Sequence, residues 1–179
     1  MPRRRLVLYI ATSLDGFIAR EDDDIGWLSV VGSPDEDYGY SDFIKTVDTV
    51  IMGRRTYDKV LHLTDDFPHK DRKCYVLSRN REGAEDYITF YKGPIEELVE
   101  AIRTEEGKDI FCDGGADVVN QLLAAELIDR FIISVVPIIL GGGIRLFGGE
   151  DPGCDLKLVR NTTFSSGLVQ LWYDKVTPG

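Results

Sequence analysis

Short apolar runs that reach a glycine and hand over to a helix recur along this chain of 179 residues. Leu6 to Ala11 leads into Leu14-Asp15-Gly16, and Thr49 to Met52 leads through Gly53 into Thr56 to Leu61. Ile110-Phe111-Cys112 leads through Gly114-Gly115 into Val118, Val119, Leu122 and Leu123 at helical spacing. Apolar runs without alternation suit strands buried on both faces, and such strands need helices to cover them. The order therefore predicts an α/β fold around a mostly parallel sheet. Tyr75-Val76-Leu77 and Ile88 to Tyr91 add short strands, and Pro94 opens a helix with Ile95, Leu98, Val99 and Ile102 on one face and Gly107 as its closing residue. From Phe131 onward the pattern changes to strands, Phe131 to Val136, Leu156 to Thr163 and Leu168 to Val176, expected as antiparallel additions at the C-terminal end.

With 43% hydrophobic residues and no Pro/Gly/Ser linker, residues 1–179 are expected to form one domain around one core. Ser33-Pro34-Asp35-Glu36 reads as a helix start with a capping box, continued by Tyr40, Phe43, Ile44 and Val47 and weakened by Gly39. The longest apolar runs, Leu6 to Ala11 and Ile132 to Leu140, fall far short of the roughly 20 residues that cross a bilayer. No membrane insertion or export is expected, nor nucleic-acid binding, since the net charge is −10 and Arg3-Arg4-Arg5, at a terminus expected to fray, is the largest basic cluster. Three scattered cysteines, Cys74, Cys112 and Cys154, give neither a disulfide framework nor a metal motif, which fits a reduced, cytoplasmic protein. His62 and His69 are expected as solvated loop residues beside Asp65, Asp66, Lys70 and Asp71, and the Asp22-Asp23-Asp24 run as a solvated loop. No metal site is expected.

Three strand ends carry residues suited to an anionic ligand. Gly53-Arg54-Arg55-Thr56 places a glycine, two guanidinium groups and a hydroxyl at a helix start, where free backbone N–H groups and the helix dipole favour phosphate. Solvated or acid-paired arginines would produce the same pattern. Leu77-Ser78-Arg79 repeats the theme, and Asp113-Gly114-Gly115-Ala116 permits close backbone approach without being a GxGxxG fingerprint. In open α/β sheets ligands bind at the carboxyl ends of strands, where all three lie.

These segments, with Ala11-Thr12-Ser13-Leu14-Asp15-Gly16-Phe17-Ile18-Ala19 at the start and Pro137 through Leu140-Gly141-Gly142-Gly143 to Leu146-Phe147 near the end, resemble the dihydrofolate-reductase-like superfamily. The closer resemblance is to the riboflavin-biosynthesis reductase (RibD C-terminal) domain and its stand-alone relatives, over nearly the whole chain. The resemblance implies NADPH along the carboxyl edge of the sheet and hydride transfer to a small heterocycle, a 5-amino-6-ribosylaminouracil phosphate-like pyrimidine or a pterin. Gly53, Arg54, Arg55 and Thr56 would hold the 2′-phosphate and diphosphate, with Leu77, Ser78 and Arg79 beside the 2′-phosphate. Gly114, Gly115 and Ala116 would follow the diphosphate and nicotinamide, with a cis peptide at Gly114-Gly115, and Thr12, Ser13 and Leu14 would border the ring. Trp27 would lie on the substrate side, and the chain would be a homodimer.

The departures from the family pattern bear on catalysis. No HxE or PCxxC deaminase segment is present, so only the reductase half could operate. The stretch between Trp27 and Gly53 is longer than in dihydrofolate reductases, which leaves Asp35, Glu36, Asp37 and Asp42 as counterparts of the substrate-binding acid, with Asp37 preferred. Asp35 and Glu36 would equally stabilise a helix start, and Asp15 before Gly16 is either a second catalytic carboxylate or turn chemistry. A protein that binds NADP without turnover, as a sensor, would share every cofactor residue.

Overall fold

The computed structural model describes residues 2–150 and 152–179. In chain order it contains β1 (Leu6–Ser13), β2 (Phe17–Ala19), a 3₁₀ turn (Gly26–Val31), α1 (Tyr40–Ile44), β3 (Val47–Gly53), α2 (Arg54–Leu63), β4 (Lys73–Leu77) and β5 (Gly83–Glu85). β6 (Ile88–Tyr91), α3 (Ile95–Thr104), β7 (Asp109–Gly114), α4 (Ala116–Ala124), β8 (Arg130–Val136), β9 (Ile144–Arg145), β10 (Leu156–Thr163) and β11 (Val169–Lys175) complete it. Nine strands form one sheet in the order β10-β11-β8-β1-β7-β3-β4-β6-β5. The central pairs β8-β1, β1-β7, β7-β3, β3-β4 and β4-β6 are parallel, whereas β10-β11, β11-β8 and β5-β6 are antiparallel. β2 and β9 pair apart from the sheet, with Phe17 opposite Arg145.

Alternation along the strands sends residues to two cores. Leu6, Leu8, Ile51, Ile110 and Cys112 pack under the apolar stripes of α3 and α4, namely Ile95, Leu98, Val99, Ile102, Val118, Val119 and Leu122. On the other face Val7, Val50, Met52, Val76 and Phe111 meet Phe43 of α1, Phe67, and Tyr57 and Val60 of α2. Trp27 and Val31 cover Val136 and Leu168 at the carboxyl end of that second face. No helix among the described residues is long and apolar enough to cross a membrane.

Five expectations need correction. The helix expected from Ser33 begins only at Tyr40, because Tyr38 and Gly39 adopt left-handed backbone (φ 57° and 83°) and break the run. Gly107 does not close α3, which gives way at Glu105; Gly107 instead lies where a Cβ would come within 2.6 Å of Asp48 Oδ2 and 2.8 Å of Arg4 Cζ. Arg4 and Arg5 of the basic run are held rather than frayed. Arg4 is buried and donates to Lys108 O (2.7 Å), Ile102 O (3.0 Å) and Thr49 Oγ1 (2.7 Å) and pairs with Asp48, while Arg5 pairs with Asp109. His69 is a core residue, 2% exposed, because the ring enters the space between Phe67 and Phe111, whereas His62 is exposed on α2. Within the acidic run Asp23 is half-buried and pairs with Arg55, and Asp24 accepts from the Gly26 N–H (3.1 Å).

Candidate functional site

Two helices start at neighbouring strand ends with no side chain capping them. Gly53 ends β3 as the N-cap of α2, and Gly115 follows β7 as the N-cap of α4. The first N–H groups of both helices therefore have no intrahelical acceptor and no side-chain acceptor among the described residues, and both dipoles present their positive ends. The helix starts lie close together. A Cβ at Gly53 would stand 3.8 Å from the Gly115 nitrogen and 3.2 Å from Val118 Cγ2, and one at Gly115 would stand 3.3 Å from Thr56 Oγ1. Glycine at both places leaves a backbone-lined cradle that any side chain would begin to fill. The Gly114-Gly115 peptide is cis, as the resemblance implied, and Gly114 is left-handed at φ 104°.

The arginines do not act as one cluster. Arg54 lies along α2, its Nε 3.0 Å from Asp58 Oδ1, with its guanidinium 5.7 Å from the Phe90 ring. Arg55 turns the other way, to Asp23 in the loop after β2. Arg79 is exposed and makes no hydrogen bond or ion pair among the described residues. Arg81, which local pattern did not single out, lies 3.7 Å over Phe90. The Ser78 hydroxyl oxygen accepts from the N–H groups of Asn80 (3.3 Å) and Arg81 (3.1 Å), and this turn brings Arg81 back toward Arg54. The signal for Arg81 was present in Ser78-Arg79-Asn80-Arg81, where a hydroxyl two and three residues ahead predicts a local turn.

On the β1 side, Thr12 and Ser13 are buried and Leu14 is 66% exposed. The Ser13 hydroxyl donates to Asp15 Oδ1 (2.6 Å) and accepts from the Phe17 N–H (2.9 Å). Asp15 also accepts from the backbone N–H groups of Leu140 (3.1 Å) and Gly141 (2.8 Å). The Ser13 hydroxyl, with those backbone donors, holds its carboxyl at about 2. Asp15 thus ties the turn after β1 to the glycine-rich segment before β9.

Asp37 engages both oxygens at the start of α1, accepting from the N–H groups of Gly39 (3.0 Å) and Ser41 (2.9 Å). Its carboxyl is held below the ordinary value, chiefly by the Ser41 hydroxyl. Glu36 accepts from the Tyr38 N–H (2.8 Å), Asp42 lies 3.6 Å from Lys45, and Asp35 is exposed. Trp27 is 5% exposed, and its Nε1–H has no acceptor among the described residues.

A different carboxylate stands at the carboxyl end of the central strands. Asp113 precedes the cis peptide, projects to the same face as Phe111, and is 26% exposed at its side chain. Its Oδ2 lies 3.3 Å from His69 Nε2. Local pattern gives Asp113 no role of its own beyond the strand end it shares with Gly114-Gly115, and the acidic neighbours of His69 point to a solvated loop.

The family profile of the RibD C-terminal domain matches residues 4–170. The chain is 43% identical over 171 residues to protein YwjB of Bacillus subtilis strain 168, covering 95% of this chain and 97% of that protein. It is 32% identical to protein YyaP of the same organism, covering 97% and 96%. Among solved structures, a protein from Shewanella sp. PV-4 with a provisional riboflavin-biosynthesis designation superimposes at TM-score 0.88 with 30% identity, over 97% of this chain and 99% of that one. Dihydrofolate reductase from Enterococcus faecalis, solved with NADP(H), superimposes at TM-score 0.66 with 17% identity over 96% of both chains, a likeness of fold. The strand order, the two uncapped glycine starts and a profile match running from β1 into β11 have one reading in common: the chain belongs to the RibD C-terminal domain family.

Proposed function

We propose that this protein is an NADPH-dependent reductase of a small nitrogen heterocycle, a pyrimidine related to 5-amino-6-ribosylaminouracil phosphate or a pterin. The observation that carries the reading is the cradle between Gly53 and Gly115, where two uncapped helix starts meet and a Cβ at either glycine would crowd Val118 or Thr56. Unpaired N–H donors and positive dipole ends suit a diphosphate. Arg54 and Arg81, which here pair with Asp58 and Glu85, and Arg79, which has no partner among the described residues, give the adjoining edge of β4 and β6 the forked donors that suit a 2′-phosphate. Arg55 belongs to the same site if a phosphate displaces Asp23. The dihydrofolate reductase fold in complex with NADP(H), and one structural neighbour, from Thermotoga maritima, designated a deaminase and 5-amino-6-(5-phosphoribosylamino)uracil reductase, support the same cofactor and substrate class.

Bound there, NADPH would supply a hydride to an electron-poor carbon of the substrate, a ring C=N carbon in a pterin or the ribosyl C1′ attached to the ring in the aminouracil phosphate. The chain's own part is to hold the two rings in register and exclude water. Thr12, Ser13 and Leu14 would border the nicotinamide at the end of β1, Ala116 would follow the diphosphate on α4, and Leu77 would close the adenosine side. Asp15 keeps the segment around Gly141 against that edge. Trp27, under the carboxyl end of the second sheet face, would wall the substrate side. The protein would work in the cytoplasm, where Cys74 and Cys112 remain thiols; burial pushes both up to about 12 and so keeps them protonated and unreactive. It would work as a homodimer.

The test is ligand-induced stabilisation followed by turnover. NADPH should raise the melting temperature more than NADH at equal concentration, and Arg54→Ala should weaken NADPH binding by roughly 1.5–3 kcal/mol, the range for a lost charged hydrogen bond. Equal shifts with the two nucleotides would rule out the 2′-phosphate site. Oxidation of NADPH with dihydrofolate or the aminouracil phosphate separates a reductase from a protein that binds the nucleotide and does no chemistry.

A further inference from the structure

The His69 ring is 2% exposed, meets Phe67 and Phe111 edge-on at 5.7 and 5.9 Å, and has one polar partner, Asp113 Oδ2, 3.3 Å from Nε2. Its Nδ1 is buried without a partner among the described residues. That asymmetry distinguishes the two tautomers of the ring. A neutral ring with hydrogen on Nε2 donates to Asp113 and leaves only a lone pair unmatched, whereas hydrogen on Nδ1 would bury a donor with no acceptor, which is costlier. A phenyl or isobutyl group would fill the same space without any unmatched atom. What the imidazole adds at this position is the hydrogen bond to Asp113.

Asp113 in turn accepts from no other group among the described residues, so Oδ1 is uncommitted. The carboxylate lies at the carboxyl end of β7, between β1 and β3, one residue before the Gly114-Gly115 turn and on the face that Trp27, α1 and α2 enclose. It acts on two groups across that face. Its charge adds to burial in holding the Tyr40 phenol and the Cys74 thiol up to about 12, so both remain neutral beside it. A partly exposed carboxylate with one oxygen fixed from behind and the other free, among neutral neighbours, is suited to accept hydrogen bonds from ring N–H or amino groups.

We propose that His69 is a positioning residue: by donating from Nε2 to Oδ2 it fixes the Asp113 carboxylate so that Oδ1 meets the N–H edge of the heterocyclic substrate. This rests on the reductase reading above and assigns its substrate-side acid to β7 rather than to residues 35–42.

The experiment uses the full chain with Asp113→Asn, His69→Gln and His69→Leu, with NADPH and with dihydrofolate and 5-amino-6-ribosylaminouracil phosphate as probes. Glutamine can still donate to Asp113, and leucine cannot. Asp113→Asn and His69→Leu should each lower kcat/KM by about 30-fold, chiefly through KM, and leave the Kd for NADPH within about twofold. His69→Gln should recover to within about fivefold of the wild type. Leucine should hold or raise the melting temperature, since it removes the unmatched Nδ1, so its loss of activity cannot be attributed to unfolding. Equal turnover in His69→Leu and wild type, or equal impairment in the leucine and glutamine variants, would overturn the role. If no probe turns over, equilibrium binding of the same probes to the same variants decides: binding that Asp113→Asn leaves unchanged, or no binding at all, also overturns it. Failure of the wild type to bind NADPH would instead remove the reductase reading, and Asp113-dependent probe binding would still stand by itself.

Discussion

Asp15 joins two segments that are 125 residues apart in the chain, because one carboxylate receives the Ser13 hydroxyl and the N–H groups of Leu140 and Gly141. Those donors lower its folded-state value to about 2, from 3.8 for an ordinary aspartate. A group whose value is depressed by folding stabilises the fold above its unfolded value and loses that contribution as the pH falls through the folded one. Asp15 should therefore steepen acid unfolding between about 4 and about 2, and Asp15→Asn should flatten the melting temperature against pH in that window. Parallel curves for the two proteins would mean that the three hydrogen bonds add no pH-dependent stability. At this scale the residue types were legible and their partners were not. Arg4 and Arg5 look alike in sequence, yet Arg4 is buried among carbonyls and Asp48 whereas Arg5 pairs at the surface. Only the folding of residues 102 to 108 beside the first strand distinguishes them. The same holds for His69, whose burial depends on Phe111, 42 positions away in a strand that local pattern cannot connect to it.

At the scale of elements, hydrophobic period located most of what exists. Strands β1, β3, β4, β6 and β7 and helices α2, α3 and α4 fall where continuous apolar runs or helical stripes predicted them, because β1, β3 and β7 are buried on both faces, α3 and α4 each bury one stripe, and α2 half-buries Tyr57 and Val60. The stretch 33–39 misled because it carries cap chemistry without a stripe to bury. Ser33 and Glu36 do accept from nearby N–H groups, of Asp35 and Tyr38, but as local turns rather than as a reciprocal box. The Gly141-Gly142-Gly143 segment shows which glycines a connection requires. Gly143 sits at φ 130°, where a Cβ would fall 2.2 Å from the Ala19 carbonyl oxygen, while at Gly142 a Cβ meets nothing within 4 Å. Gly143→Ala must push β2 and β9 apart and should cost on the order of 2–3 kcal/mol, with Gly142→Ala within about 0.5 kcal/mol of the wild type, both read from denaturant midpoints. Equal effects would mean that the loop yields without disturbing the β2-β9 pair.

The order of strands across the sheet was the least legible feature, and it decides which edge is left open. In the fold β8 is enclosed between β1 and β11, with Phe131, Ile132 and Val136 buried, and the exposed edge passes to β10. Nothing in local periodicity could have placed β10 outside β11, since that depends on the pairing of a hairpin with a strand that is parallel to β1 on its other side. The opposite edge, β5, is three residues long and carries Glu85, which are ordinary guards against pairing. β10 is eight residues long and leaves Leu156, Leu158 and Val159 41–48% exposed. Beside it a groove of about 400 Å³ runs over the sheet face, floored by Val7, Ile132 and Trp172 and rimmed by Arg5, Arg130 and Arg160. A long edge with apolar side chains next to such a groove is a surface that a second copy can cover by two-fold symmetry. For a chain of 20.1 kDa, light scattering at micromolar concentration should report a particle of about 40 kDa. Leu158→Glu places a charge in the middle of that edge and should return the particle to about 20 kDa without loss of the fold, because Leu158 is already 48% exposed in the single chain. A wild-type particle of about 20 kDa would show that the edge is tolerated by a monomer, guarded by Lys157 and Arg160 alone.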